Sequence, residues 1–542
     1  VARRLKKYPK AHIYHYGHYE VTALKRLMSF HGVRENEVDN LLRLGRFVDL
    51  YKIVRESLRV SEPRYSIKNM ERFYMAPRRG SVTDAAQSLV FYERWKNTGD
   101  EKLIREIESY NRDDLRSTYE LRQWLLELRP EGIPWADSSP DVIEPVPTDI
   151  AAMNPDEQRL AHYRELLVDS LPENRDEWST EEALRELTFL LLDFHRRAAK
   201  PQWWGLFSRR DMSAEELIED VESIGGMTVE SVENSEGRRN SLYCVYRYPE
   251  QDTKLKSGDT CVRTDTLDII SNVEIDEENR RVTFHWPKRC GDPPKTLNIG
   301  PGGPIKTDSL KEALFCFADT IIDEEDRYKA LKSLIAQEIP RVKNLRRGKK
   351  IIDESREALP QIIKTVASLN DSHVFIQGPP GTGKTYTAAH VILDLIKRGH
   401  RIAVSSNSHK AINNLLSQIE YFAKAQNIKF RGIKKSTNLN PDSAFEGEFI
   451  RNVLSNSEAE EFEGQLVAGT AWLFSRDSFD QAFDYLFVDE AGQVALANLI
   501  AMGTCAKNIV LLGDQMQLAQ PIQGVHPGRS GESVLDYLLN GM

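Results

Sequence analysis

Gly378-Pro379-Pro380-Gly381-Thr382-Gly383-Lys384-Thr385 is the stretch whose reading decides the fold. Just before it, Val374, Phe375 and Ile376 centre an apolar run from His373 to Gln377, and just after it Tyr386 to Arg398 is helix-forming until Gly399. Strand, glycine-rich loop and helix in this order make a phosphate loop, because glycines let successive amide N–H groups and the helix N-terminus face anionic oxygens. Lys384 is then placed to reach the β and γ phosphates of a nucleotide, and the Thr385 hydroxyl to ligate magnesium. A chance glycine turn rarely reproduces eight residues in the strand-to-helix context that this chemistry demands.

Working downstream, Arg401 to Val404 reads as a second buried strand, leading into Ser405-Ser406-Asn407-Ser408-His409-Lys410 and a helix from Ala411 to Ile419. Phe483 to Val488 is a third strand and ends in Asp489-Glu490-Ala491-Gly492-Gln493, with a helix expected from Val494 onward. A strand-terminal Asp489 can hold magnesium through water while Glu490 orients or deprotonates the attacking water. A fourth strand, Asn508 to Leu512, ends in Gly513-Asp514-Gln515-Met516-Gln517-Leu518-Ala519-Gln520-Pro521. Upstream, Gln361 sits in a helical stretch from Ser355 to Leu369, where its amide can pair with adenine's edge or simply face solvent.

The phosphate loop alone admits kinases, AAA-type ATPases and transporters. DEAGQ together with GDQMQLAQP points elsewhere: the region from Gln361 to Leu538 resembles superfamily 1B helicases of the RNA-surveillance and DNA-repair group. Gly524-Val525-His526-Pro527-Gly528-Arg529-Ser530-Gly531 resembles the bacterial fusion proteins of that group. The resemblance implies a RecA-like parallel sheet and an ATP and Mg2+ site. Nucleotide contacts would come from Gln361, Gly378, Pro379, Pro380, Gly381, Thr382, Gly383, Lys384, Thr385, Tyr386 and Gln493. Metal contacts would come from Thr385 and Asp489, and catalytic roles fall to Lys384, Glu490 and the γ-phosphate sensor Gln517. Ser406, Asn407, Ser408, His409 and Lys410, with Gly469 and Thr470 of Gln465-Leu466-Val467-Ala468-Gly469-Thr470, are implied to touch a nucleic-acid backbone.

The first block, residues 1–130, reads as a strand at His12 to Tyr16, a helix from Val21 to Met28, a turn at Arg46 to Leu50 into another helix, and a helix from Ile104 to Leu128. It resembles the RNase H-like exonuclease fold of the DEDD class, in the variant found within bacterial RecB-like nuclease and helicase fusions. By that resemblance Glu20, Asp49 and Asp114 are candidate ligands of a second divalent-metal site, Mg2+ or Mn2+. The family's first acidic pair would lie on a strand preceding Val1, so the full metal site is not expected from these residues alone. The competing reading makes Asp113 and Asp114 solvated helix charges and Glu20 an acid at a helix start.

Between the two, residues 131–152 carry Pro134, Pro140, Pro145 and Pro147 and read as an extended linker. Residues 153–224 follow as a helical stalk, with Leu160, Tyr163, Leu166 and Leu167, and Leu184, Leu187, Leu191 and Phe194, at helical spacing. Lys200-Pro201-Gln202-Trp203-Trp204 is read first as tryptophans anchoring the stalk and second as a base-stacking site. Residues 225–325 alternate in short strands with turns and suggest a small β-barrel, which resembles the extra domain of superfamily 1B helicases. Residues 326–542 complete the order as the first RecA-like domain. The second RecA-like domain of that group, with its arginines for the ATP site, is expected in a longer parent, as is an upstream nuclease segment.

Over 542 residues the chain has a formal net charge of -9, 40% hydrophobic and 29% charged residues, which excludes a uniformly basic nucleic-acid coat but not a local basic groove. Five cysteines without a CxxC pair support neither a zinc site nor a disulfide scaffold and suit a reducing compartment of cytoplasmic type. The most apolar stretch, Leu187 to Phe194, is too short to cross a bilayer. The overall expectation is an ATP-dependent helicase or translocase with a nuclease-type domain, acting on single-stranded or forked DNA or on RNA. The alternative is a nucleotide-gated nucleic-acid-binding module without catalysis.

Overall fold

The computed structural model describes residues 2–8, 11–17, 19–31, 34–76, 85–132, 155–210, 212–235, 240–346, 349–379, 381–437, 443–514, 517, 524 and 526–539. Pro380, the linker from residue 133 onward, residues 515–516 and 518–523, and Val525 lie outside the described residues. The fold is α/β, and it divides into two compact units, Val1–Gln158 and Arg159–Met542.

The first unit runs α1 (Ala2–Lys7), β1 (Ile13–His15), α2 (Tyr19–His31), α3 (Glu35–Arg43), β2 (Phe47–Asp49), α4 (Leu50–Ser57), α5 (Ile67–Tyr74), α6 (Ala85–Thr98) and α7 (Glu101–Leu128). β1 and β2 pair in parallel, with Tyr14 opposite Val48 and His15 opposite Asp49. Leu50, Val54, Met70 and Leu121 bury themselves together, with Tyr74 and Trp124 packed on them, which fastens α4, α5 and α7 into one body. Two expectations shift. The stretch Arg46 to Leu50 contains a strand as well as the turn into α4. The first strand stops at His15, because Gly17 takes a left-handed φ of 79° and turns its N–H onto Asp49 Oδ1 at 2.8 Å.

The division falls in the first turn of α8 (Pro155–Leu167), and the second unit continues with α9 (Thr180–Leu192), α10 (Phe194–Arg210) and α11 (Ala214–Glu219). Ser179 and Glu182 close a capping box at the start of α9, and Ser213 and Glu216 do the same for α11. α10 continues through Lys200 to Trp204 with Pro201 in its interior. A proline there has no N–H for the carbonyl four residues back, that of Arg197. Gly524 packs against this same carbonyl, where an added Cβ would lie 2.9 Å from the oxygen.

An antiparallel sheet follows: β3 (Ile224–Asn234), β4 (Ser241–Arg247), β5 (Cys261–Arg263), β6 (Ile269–Ile270), β7 (Glu274–Asp276), β8 (Arg281–Pro287) and β9 (Thr296–Pro301), in spatial order β6-β5-β9-β3-β4-β8-β7. Alternation sends Cys244 and Tyr246 of β4 and Val282, Phe284 and Trp286 of β8 inward, and these with Ile224, Ile270 and Ile299 form one enclosed core. Arg209 of α10 ties the sheet's entry to the stalk through Asp220 and Glu222, each at 2.6 Å.

The remaining elements are α12 (Asp308–Ile322), α13 (Lys329–Ile335), α14 (Ala358–Val366), β10 (His373–Gln377), α15 (Lys384–Lys397), β11 (Ile402–Ser406), α16 (His409–Ala425), β12 (Gly432–Lys435), β13 (Ile450–Val453), α17 (Asn456–Glu460), β14 (Leu466–Gly469), α18 (Ala471–Phe474), β15 (Phe483–Asp489), α19 (Leu496–Gly503), β16 (Ala506–Gly513) and α20 (Val534–Leu539). Their seven strands form an all-parallel sheet in the order β10-β16-β15-β11-β14-β12-β13. Successive side chains point to opposite faces, so each strand feeds two cores. Ala403, Leu486, Val488, Ile509 and Leu511 face α12, α13 and α18 to α20, while Ile402, Val404, Phe487, Val510 and Leu512 face α14, α15 and α16. α8 and α9 lie on the first of these cores, where Tyr163 donates to Asp319 Oδ1 at 2.5 Å and Arg159 pairs with Glu312 at 2.8 Å. In such a sheet ligands bind beyond the carboxyl ends of the strands.

Candidate functional site

At the carboxyl end of β10, Gly378 donates its N–H to the carbonyl of Gly513 at 3.1 Å, which joins the phosphate loop to the end of β16. Gly381 and Gly383 both take left-handed backbone angles, φ 82° and 86°, and Gly383 stands immediately before α15. A Cβ on Gly378 would meet Thr382 Oγ1 at 2.4 Å, so only glycine fits the loop's inner curve. Thr382 braces the loop by donating from Oγ1 to the Pro379 carbonyl at 2.7 Å. Lys384 folds back over it, its ammonium on the carbonyls of Gly378 and Pro379. Thr385 lies half-buried in the first turn of α15, and Tyr386 is exposed, edge-on to Phe422 at 5.2 Å. This loop, with backbone N–H groups, one cation and one hydroxyl at the head of a 14-residue helix, fits an anionic polyphosphate.

Asp489 ends β15 two strands away in the sheet and is 6% exposed. Burial pushes its carboxyl up to about 6; the N–H of Glu490, donating at 2.9 Å, and the charge of Lys384 pull the other way. Glu490 itself adopts a left-handed φ of 53°, a conformation that costs a non-glycine residue about 1 kcal/mol or more and that concentrates at working sites. It starts a short 3-10 turn, Ala491–Gln493, and the next α-helix begins only at Leu496, later than expected. Asp514, buried at the end of β16, and Gln517 follow, with the Gln517 N–H 3.4 Å from the Asp514 carbonyl.

Gln361 is engaged by its own loop. Its amide oxygen accepts from the Asp353 N–H at 2.8 Å, and its amide nitrogen donates to the carbonyls of Asp353 and Glu357, both at 3.0 Å. These are the donor and acceptor that adenine's edge would use.

The Ser406–Lys410 stretch joins this centre directly. β11 runs two residues further than expected, to Ser406, whose Cα stands opposite Asp489, while Ser405 stands opposite Gly469 of β14. Asn407 donates from Nδ2 to the carbonyl of Gln493 at 3.1 Å. Ser408 caps α16, accepting from the Ala411 N–H at 3.1 Å, and His409 and Lys410 form its first turn. Thr470 precedes α18 at the end of β14. The structure therefore brings Lys384, Asp489, Glu490, Asn407 and Gln493 together at neighbouring strand ends. One partner was not anticipated: the Lys434 ammonium, from the buried strand β12, lies 2.9 Å from His409 Nδ1. Its only trace in the sequence is the pair Lys434-Lys435 following Gly432-Ile433.

The three carboxylates of the first unit come out differently. Glu20 is exposed in the first turn of α2, an acid at a helix start, and Asp49 is spent as the cap of α4, accepting from the N–H groups of Gly17 and Tyr51 at 2.8 and 2.9 Å. Among the described residues no group of three or more His, Cys, Asp or Glu side chains is placed to hold a metal ion. Asp114 lies on α7, and among the described residues these three carboxylates belong to no such group.

Residues 1–126 match the RNase H superfamily, and residues 360–530 match an AAA domain, the broad class that the phosphate loop alone admits. The chain is similar to the DNA replication ATP-dependent helicase/nuclease JHS1 of Arabidopsis thaliana, 27% identical over 205 residues, covering 37% of this chain and 15% of that protein. It is also similar to the DNA replication ATP-dependent helicase/nuclease DNA2 of Gallus gallus, 29% identical over 187 residues, covering 31% and 18% respectively. The chain thus spans under a fifth of the length of these curated relatives. A crystal structure of arterivirus nonstructural protein 10 (helicase) aligns over 60% of this chain and 52% of its own at 13% identity and a TM-score of 0.26, a likeness too weak to support any argument. Among the described residues no helix is long and apolar enough to cross a membrane. The first unit is RNase H-like, the second carries a phosphate-loop domain, and the relatives of this chain are helicase/nucleases.

Proposed function

We propose that this chain is the ATP-binding part of a nucleic-acid helicase or translocase that also carries a nuclease-type domain. The observation that carries the reading is the hydrogen bond from Asn407 to the Gln493 carbonyl, which ties the ATP-site turn after Glu490 to the loop that would grip a strand. ATP is the substrate; Lys384 and the loop N–H groups bind its phosphates, Glu490 orients water, and Gln517 senses the γ-phosphate. Thr385 and Asp489 would hold Mg2+, which neutralises developing charge on the phosphates. Gln361 reads adenine by exchanging its bonds to Asp353 for bonds to the base.

Ser406, Asn407, Ser408, His409, Lys410, Gly469 and Thr470 form the strand-contacting surface, for single-stranded or forked DNA by analogy with the named relatives and with RNA as the other arm of the test. Residues 1–130 serve as the nuclease-type domain, 131–152 as linker, 153–224 as stalk, 225–325 as the extra domain beside the motor and 326–542 as the motor domain itself. The stretch from Gly524 to Gly531 resembles bacterial RecB-like fusions and supports the same reading.

The test is ATP turnover with and without single-stranded DNA or RNA, beside Lys384→Ala. Turnover that rises with one strand type and is lost in the variant supports the motor. Strand binding that depends on nucleotide, with no turnover, favours the binding-module reading instead.

A further inference from the structure

Lys434 is fully buried on β12, at 0% exposure. A buried ammonium ordinarily pairs with a carboxylate. Here its Nζ donates to the carbonyl of Lys435 at 2.8 Å and lies 2.9 Å from Nδ1 of His409. The charges that act on the pair are cationic: Lys435, next on the strand, acts on both groups, and Arg476, which acts on Lys435, holds Glu460. Lys410, next to His409 on α16, is exposed.

The chemistry of the contact is one-sided. As an ammonium Lys434 can only donate, so in that state Nδ1 must accept, and a neutral imidazole that accepts at Nδ1 carries its proton on Nε2. Burial, with the charges of Lys434 and Lys435 added, lowers His409 to about 4, so the ring is neutral at ordinary pH. Its position in the first turn of α16, a 17-residue helix capped by Ser408, adds the positive end of the helix dipole.

We propose that Lys434 is a positioning residue that locks His409 in its Nε2–H tautomer, so that this N–H donates to a backbone phosphate of the bound strand. The proposal rests on the reading of Ser406 to Lys410 as the strand-contacting surface. It has a second consequence. Burial and Lys435 push Lys434 down to about 7, and the charge of a nearby phosphate favours its protonated form. Strand binding therefore takes up a proton above neutrality, and affinity falls as pH rises from about 7 to about 9 by this linkage.

The experiment is fluorescence anisotropy of a labelled single-stranded oligonucleotide at pH 6.5 and 8.5. It compares the full chain with Lys434→Met, Lys434→Gln, His409→Ala, Lys410→Ala and the double variant Lys434→Met/His409→Ala. Lys434→Met fills the same buried space without charge, and its thermal melt checks that it folds. Loss of a hydrogen bond to a charged group predicts about tenfold weaker binding at pH 6.5 for Lys434→Met and for His409→Ala. The double variant should be no weaker than either, and Lys434→Met should lose the pH dependence. Lys434→Gln, which keeps an N–H donor, should recover part of the affinity. If His409→Ala and Lys410→Ala weaken binding while Lys434→Met matches the parent at both pH values, the proposal is overturned and the strand surface stands. If none of the variants changes binding, the strand-surface reading itself is overturned.

Discussion

Ser406 at the end of β11 stands opposite Asp489 at the end of β15, and one residue further on Asn407 donates to the Gln493 carbonyl at 3.1 Å. The Asn407 side chain thus joins the turn after Glu490 to the loop proposed to contact a strand. Coupling of two sites is a free energy that both ligands feel equally. In Asn407→Ala, the factor by which a non-hydrolysable ATP analogue changes single-strand affinity should fall towards one. Anisotropy titrations with and without the analogue measure it, and an unchanged factor would place the coupling elsewhere.

Asp489 binds a proton more tightly folded than unfolded, since burial lifts its carboxyl to about 6. Between the ordinary carboxylate range and pH 6 the folded state therefore holds the extra proton, and stability falls as pH rises through that window. Asp489→Asn removes the buried charge and should raise stability at pH 7 in the absence of metal by about 1–3 kcal/mol. Denaturant melts of the metal-free protein would show it. The same variant should lose magnesium-dependent ATP binding.

Gly378 has no room for a methyl group, because Thr382 Oγ1 would lie 2.4 Å from it and Lys384 Cγ 3.3 Å. Gly378→Ala should displace the Lys384 stem and weaken ATP binding about tenfold or more, as displacements of about 1 Å do at such sites. Far-ultraviolet circular dichroism should stay that of the parent, since the loop contributes little to either core.

Lys434 makes the opposite bargain to a surface lysine. Its folded form is harder to protonate than its unfolded form, so the unfolded chain binds more protons above pH 7 and stability rises with pH from there. Lys434→Met should raise the thermal midpoint at pH 7 and flatten that rise, by about 1–4 kcal/mol if the apolar side chain packs well. A lower midpoint at every pH would mean that the methionine side chain does not pack in the space Lys434 fills.

The parallel sheet around the phosphate loop was legible where apolar runs and glycine punctuation coincide. Val374 to Ile376, Phe483 to Val488 and Asn508 to Leu512 all became strands at the expected places. β12 escaped notice because it carries Lys434 and Lys435, residues that local patterning assigns to surfaces, and only the packing around β12 makes Lys434 a core residue. β11 ran past Val404 for a related reason: Ser405 and Ser406 are polar yet wholly enclosed between β14 and β15. α10 runs straight through Pro201, with Phe194, Leu206 and Arg209 buried along it.

For the candidate site, the residue types could be read from motifs, but their engagements could not. Gln361 has the amide that adenine needs, and spacing does not reveal that Asp353 already occupies it. Asp49 has the carboxylate of a metal ligand, and only the fold commits it to the start of α4. Short-range pattern identifies a group; long-range packing decides what that group is free to do.

Whether the loop from Gly378 to Thr385 holds a nucleotide is decided by equilibrium binding of a fluorescent ATP analogue in magnesium to the full chain and to Lys384→Ala. Saturable binding by the full chain, weakened about tenfold or more in the variant, is the predicted result. Equal binding by the two, or none by either, would contradict it.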